Sequence, residues 1–250
     1  MKRIICWLGL ALLLMSGGLC AKQETFRFYG YAFDQKGEKY LYTEVHEQNY
    51  IDQKWAGGTI TYYSPDGAQM GVKTLDFSAD PFIPEYDYQL PALDYREGIV
   101  KVDRQKVVMS RTVDGKTRTE TVKNKAPISG DSGFHNFMVA HFAKLMAGDT
   151  VPFTFIAAGN LDTFKFRARR IEDGSFEGKK MVRFKVEANS LLRLVAPDLT
   201  VTYDPELKHL KQYEGPSNVI NPETEKVYDT RISYYSEPPP GAPDSLPPLE

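Results

Sequence analysis

The stretch Val107-Val108-Met109-Ser110-Arg111-Thr112-Val113-Asp114-Gly115-Lys116-Thr117-Arg118-Thr119-Glu120-Thr121-Val122 decides the class of the fold. Two runs of strand-favouring residues flank Asp114-Gly115, a pair that accepts the positive φ angles of a tight hairpin turn. Moving outward, the same grammar repeats. Residues 26–33 and 38–48 are separated by Gln35-Lys36-Gly37, and residues 59–64 end at Pro65-Asp66-Gly67 before a further run over 72–77. In that turn Pro sets φ, Asp bonds its own backbone and Gly accepts positive φ. Tyr, Phe, Val and Thr dominate these runs, as half-buried pleated surfaces favour. The segment 81–91 holds Pro81, Pro84 and Pro91, which argues for a loop or an edge strand. Later strands are expected over 151–157, 161–171, 179–187, 200–203, 207–213 and 227–235.

One helix interrupts the strands. Phe134, Phe137, Met138, Phe142 and Leu145 recur at helical spacing, Asp131 or Ser132 stands ready to cap, and Gly148 ends the run. This predicts a main helix over about 133–147. A short second helix, about 189–196, is read from Asn189 through Leu191, Leu192, Leu194 and Val195 to the stop at Pro197. The expected fold is mainly β: a single antiparallel sheet curved into a barrel or half-barrel around the main helix. Residues 22–235 read as one domain. Residues 236–250 hold six prolines and no core-forming pattern, so they read as a disordered tail.

Residues 1–21 read as a cleavable secretory signal. Lys2 and Arg3 precede an apolar run over 4–15, which Ser16, Gly17 and Gly18 break before Leu19-Cys20-Ala21. About a dozen apolar residues are too few to cross a bilayer, which takes roughly 20. Ala21 suits the cut. Cys20 offers an alternative, a lipoprotein anchored through that residue, although Gly17-Gly18-Leu19 reverses the usual order of small and apolar residues. The expected address is the periplasm, and no second apolar run suggests a transmembrane protein. Cys6 and Cys20 are the only cysteines, so the mature domain is expected to lack disulfides, a thiol nucleophile and thiolate metal ligands. The net charge of −2 becomes −4 when Lys2 and Arg3 leave, which gives no reason to propose nucleic acid as a partner.

Motifs that could carry chemistry read more simply as structure. Gly130-Asp131-Ser132-Gly133 looks like the nucleophile loop of chymotrypsin-like proteases, but Phe134-His135 follow it and it opens a helix, where Asp and Ser are ordinary caps. Asp131 and His135, four apart, could pair and raise the imidazole pKa. His135 and His141 lie about 240° apart around a helix and cannot share a ligand face. No histidine spacing suggests a metal, and no cofactor is expected. Asp94, Glu97 and Asp103, like Glu44 and Glu47, sit in polar or alternating contexts and read as solvated faces.

Two features point to binding. In 163–171 and 179–187, Phe164, Phe166, Ala168, Val182, Phe184 and Val186 alternate with Lys165, Arg167, Arg169, Arg183 and Lys185. Paired, these strands would show one apolar and one cationic face. The cationic face is either the soluble outside of a half-buried sheet or a platform for a lipid head group, lipopolysaccharide or envelope protein. The helix residues Phe134, Phe137, Met138, Phe142 and Leu145 either fill the concave side of the sheet or line an apolar-ligand cavity beside it.

Trp55 with Gly58-Thr59-Ile60-Thr61-Tyr62-Tyr63 and Pro65-Asp66-Gly67, Asp131-Ser132-Gly133-Phe134 with Phe137, Leu145 and Gly148, and Tyr203-Asp204 with Leu210, Tyr213-Glu214-Gly215 and Ser217-Asn218 resemble a family of exported bacterial proteins of unknown function. These motifs are turns, caps and strand ends. The element order is also similar to periplasmic lipoprotein-carrier half-barrels, a resemblance that implies an apolar-ligand or envelope-assembly role and transfers no ligand residue. The expected function is therefore non-enzymatic: a periplasmic binding or carrier protein for a lipid or other hydrophobic envelope component. Two alternatives stand beside it. One is an envelope scaffold that docks through its basic face or Pro-rich tail; the other is a cell-wall or glycan hydrolase with converging carboxylates.

Overall fold

The computed structural model describes residues 22–189 and 198–249. The proposed signal and Cys20 lie outside them. So does the expected helix 189–196, except for Asn189.

The chain is mainly β and forms one large antiparallel sheet. Its first half is an uninterrupted meander: β1 (Gln23–Asp34), β2 (Tyr40–Ile51), β3 (Lys54–Tyr63), β4 (Gln69–Asp76), β5 (Glu85–Leu90), β6 (Tyr95–Val102), β7 (Lys106–Val113) and β8 (Lys116–Lys123). The second half comprises β9 (Ile128–Gly130), β10 (Val151–Ala157), β11 (Asp162–Arg170), β12 (Gly174–Phe176), β13 (Lys179–Ala188), β14 (Leu199–Tyr203), β15 (Leu210–Ile220) and β16 (Val227–Ser233). The strands run in the order 8-7-6-5-4-3-2-1-16-15-14-13-11-10-9, with β12 beside β13. Pairing of β1 with β16 fuses the two halves, and only β9 and β10 run parallel among neighbours.

This order dictates the curvature. The edge strands β8 and β9 are joined by only the four residues 124–127, a link that spans at most about 18 Å. A flat sheet of this width would set its edges roughly 65 Å apart. The sheet must therefore curl until its edges approach. No hydrogen-bonded ladder joins β8 to β9 among the described residues, so it remains a half-barrel rather than a closed barrel. A 3-10 turn, Ala158–Asn160, packs on β6 and β7 from the other side of the gap.

The segment 81–91 is a loop only over 81–84 and is nowhere an edge strand. It contains β5, which lies inside the sheet and buries Tyr86, Tyr88 and Leu90 on one face. Pro81 and Pro84 precede the ladder and Pro91 follows it, so none removes an N–H that the sheet uses. The helix expected over 133–147 is broken into α1 (Gly133–Ala140) and α2 (Phe142–Met146). At the break, His141 turns its Nδ1 to within 2.9 Å of the Phe137 carbonyl and leaves helical geometry at φ −101° and ψ 8°.

Two cores result. One fills the first meander around Tyr42, Tyr62, Tyr88, Ile99 and Met109. The other packs α1 and α2 against β10–β14 through Phe137, Met138, Phe142, Leu145, Phe153, Phe184 and Tyr203. The Pro-rich segment 236–249 has no helix or strand, yet it touches the sheet: Ser236 donates to Glu177, and the Tyr29 hydroxyl donates to the Pro247 carbonyl.

Candidate functional site

A cavity of about 1750 Å³ lies inside the curl, lined by both cores. One wall is aromatic. Phe153 pairs with Phe166 and Phe155 with Phe164 across β10 and β11, so all four rings stand on the concave face. Phe134 extends the wall from α1, 5.9 Å from the Phe153 ring. Phe26, Phe164 and Val227, at 52%, 40% and 52% exposure, mark where the cavity meets solvent.

Of the five helix residues expected to line a cavity, only Phe134 does so. Phe137, Met138, Phe142 and Leu145 are buried in the second core, where they hold α1 and α2 on the sheet. Their helical spacing identified a buried stripe, and period alone does not distinguish a stripe that meets protein from one that meets a ligand.

The opposite wall is polar, and the strand register explains why. Arg111, Glu97, Tyr88, Lys73, Ile60, His46 and Phe28 are direct cross-strand neighbours from β7 to β1, forming one row across the concave face. All except Tyr88 line the cavity. Lys73 is 2% exposed, and its Nζ donates to Asp131 Oδ2 at 2.6 Å. The Lys73 ammonium also lies 5.2 Å from the centres of both the Tyr86 and Tyr88 rings.

Asp131 sits in the loop that follows β9 and bridges opposite walls of the curl. Asn218 on β15 donates to its Oδ2 at 3.1 Å, while the Ser132 backbone N–H and hydroxyl donate to Oδ1 at 2.6 and 2.7 Å. The tetrapeptide 130–133 is thus not the side-chain helix cap expected from sequence: Ser132 makes no capping bond to α1, and Asp131 is committed to Lys73. Nor does Asp131 pair with His135. That ring stacks on Tyr203 with its Nδ1 3.3 Å from the hydroxyl, and burial pushes its pKa down to about 4 instead of up. Ser132, His135 and Asp131 therefore form no relay.

Glu97 and Glu44, read from sequence as solvated, are 7% and 6% exposed. Tyr86 donates to Glu97 Oε1 at 3.0 Å and Tyr95 donates to Oε2. Burial raises the Glu97 pKa; the Tyr95 hydrogen bond and the Lys73 charge oppose that rise in part. Glu44 lies 2.8 Å from His46 Nε2 and accepts from Tyr234 at 3.3 Å. His46 Nδ1 is buried without a hydrogen-bond partner among the described residues. Two glycines make room for these carboxyls. A Cβ on Gly30 would stand 2.7 Å from Glu44 Oε2, and one on Gly159 only 2.1 Å from Glu97 Oε2.

The cationic face of the β11–β13 hairpin is largely neutralised. Arg167, Arg169 and Lys185 converge on the buried Glu187 at 2.5, 3.3 and 3.7 Å. Lys185 also meets Asp198 at 2.5 Å, and Arg183 reaches Glu214 at 3.7 Å. Lys165 stands apart from these pairs, exposed at the cavity rim. Alternation along two strands could show the cations, but their counter-charges come from the hairpin's own end and from neighbouring segments.

Lys73, Glu97, Glu44, His46 and Arg111 were not singled out as a site from sequence. A signal was nonetheless present: each occupies an inward, every-second position beside bulky or apolar residues, as in Tyr95-x-Glu97-x-Ile99 and Val107-x-Met109-x-Arg111. Among the described residues, no group of three or more His, Cys, Asp or Glu is arranged to hold a metal.

Compared with protein families, curated proteins and solved structures, the chain finds no match. The site must be interpreted from its own chemistry.

Proposed function

We propose that this protein binds an apolar or amphipathic molecule within the curl of its sheet, acting non-enzymatically as a binding or carrier protein of the cell envelope. The observation that carries this reading is the aromatic wall. Phe155, Phe164 and Phe166, none of them fully buried, face a cavity of about 1750 Å³, and Phe153, packed behind them in the second core, completes its lining. Pockets for ordinary small molecules measure roughly 300–1,000 Å³, so this one offers room for a long chain. Apolar surface facing such a space is stabilised by an occupant that displaces water from it. The envelope address rests on the signal-like residues 1–21 and on the resemblance of the turn and strand-end motifs to exported proteins.

The test is native mass spectrometry and solvent extraction of protein purified from its own compartment, followed by titration of the emptied protein with a neutral hydrophobic fluorophore. Co-purifying lipid, or saturable binding that is weakened by Phe155→Asp, supports the reading. A protein that emerges empty and takes up no fluorophore overturns it.

A further inference from the structure

We propose that Arg111 is the anchor for an anionic head group, a carboxylate or a phosphate, on the ligand that this cavity takes. The inference rests on the binding reading above and adds the chemistry of the ligand's polar end.

Two of the cations that line the cavity have a bonded counter-charge. Lys73 is held by Asp131, and Arg27, nearer the mouth, by Glu47. Arg111 lines the same cavity but joins none of the ion pairs among the described residues, and its buried Nε has no hydrogen-bond acceptor. A buried guanidinium N–H without an acceptor is unfavourable unless something else supplies one. The nearest carboxyl by register, Glu97, is directly opposite Arg111 on β6, but both its oxygens are taken by Tyr86 and Tyr95.

The guanidinium is also held in place. It lies over the Tyr95 ring, 5.6 Å from its centre, between buried Met109 and half-buried Val113 on the inward face of β7. A planar fork fixed on an aromatic face is suited to carboxylate or phosphate oxygens. β7 packs against the turn Ala158–Asn160, and that turn directly follows Phe153 and Phe155. An amphiphile with its head on Arg111 can therefore lay its chain along the aromatic wall.

The experiment compares hexadecanoate, hexadecyl phosphate and hexadecanol as displacers of a neutral naphthylamine fluorophore from the emptied protein. Wild type is expected to bind at least one of the two anions roughly tenfold or more tightly than the alcohol, the effect of a charge-assisted hydrogen bond. Arg111→Gln should remove the preference by weakening anion binding far more than alcohol binding; Arg111→Lys should keep part of it. Lys116→Gln, exposed at the start of β8 and outside the cavity lining, should leave it intact. Which anion is preferred separates a carboxylate from a phosphate ligand, and either supports the anchor. Equal affinity for anions and alcohol, or an Arg111→Gln protein that keeps the preference, overturns the anchor and leaves the binding reading standing. Failure of all three amphiphiles and the fluorophore to bind overturns both. If Arg111→Gln does not fold, loss of part of the preference in Arg111→Lys is the deciding measurement, and an unchanged preference there rejects the anchor.

Discussion

Replacing Lys73 by Met should unfold this protein at a much lower temperature, and replacing Asp131 at the same time should restore most of the loss. Both side chains are nearly inaccessible, at 2% and 5% exposure, and their charges are 2.6 Å apart. Removing one member of such a pair costs about 3–5 kcal/mol, because the remaining charge is left uncompensated in a poor solvent. The two single variants need not be equal. In Lys73→Met, Asp131 retains donors from Asn218 and from the backbone and hydroxyl of Ser132, so about 3 kcal/mol is expected. In Asp131→Asn, Lys73 keeps an amide oxygen, the faces of Tyr86 and Tyr88 and its coulombic attraction to Glu97, but loses the counter-charge bonded to it. That variant should fall toward about 5 kcal/mol. The double variant Lys73→Met/Asp131→Asn removes both charges and should lie within about 1–2 kcal/mol of wild type. For a chain of this size each kcal/mol is about 2–4 °C in Tm, so Lys73→Met should melt roughly 6–12 °C lower. Urea unfolding with unchanged m-values supplies the free energies, and the double-mutant cycle isolates the coupling. Single variants that each cost under about 1 kcal/mol and add without coupling would refute the reasoning.

Other expectations follow from the same interior. His135, its pKa depressed from 6.5 to about 4 by burial, binds protons more weakly folded than unfolded. Its contribution is complete above about pH 6.5 and is lost as pH falls toward 4, by at most about 3 kcal/mol and less where the ring edge meets cavity water. Melting curves of His135→Phe should therefore lose part of the acid limb seen in wild type; an unchanged limb rejects the assignment. Glu97 has the opposite sign. Its raised pKa makes the folded state the stronger proton binder, so stability falls as pH rises above the ordinary carboxylate value of 4.5 through the folded one. Glu97→Gln should match wild type near pH 4 and exceed it near pH 8, and a variant weakest at pH 8 contradicts this. Gly159→Ala drives a Cβ into the Glu97 carboxyl and should cost about 1–3 kcal/mol. In the Glu97→Ala background the same change should cost less, and simple additivity argues against the contact. Phe164→Glu, at the mouth, should weaken uptake of an apolar probe with stability changed by under about 0.5 kcal/mol; unchanged uptake removes Phe164 from the site.

How much of this was legible in the chain depends on the range of the interaction. Asp114-Gly115 and Pro65-Asp66-Gly67 set their hairpins from adjacent residues alone, and the alternation of Phe164 and Phe166 with Lys165 and Arg167 placed the rings on one face. Turn chemistry and side-chain period are local, so they survive in a one-dimensional reading. They supported a β-rich chain with a helix-forming segment near 133–147. They could not show that the first strand pairs with the last, which places the edges mid-chain and forces the sheet to curl within the reach of residues 124–127. Nor could they show that Arg111, Glu97, Lys73 and His46, spread over 66 positions of sequence, become one row across the concave face. That row exists only once the registers of β7 to β2 are set. A one-residue slip in any ladder would turn those charges outward. The sequence by itself determined the strands, the turns and the buried stripe of the helix. Tertiary pairing decided which polar residues are taken out of water and into the cavity, because burial of a charge depends on partners that no local pattern encodes.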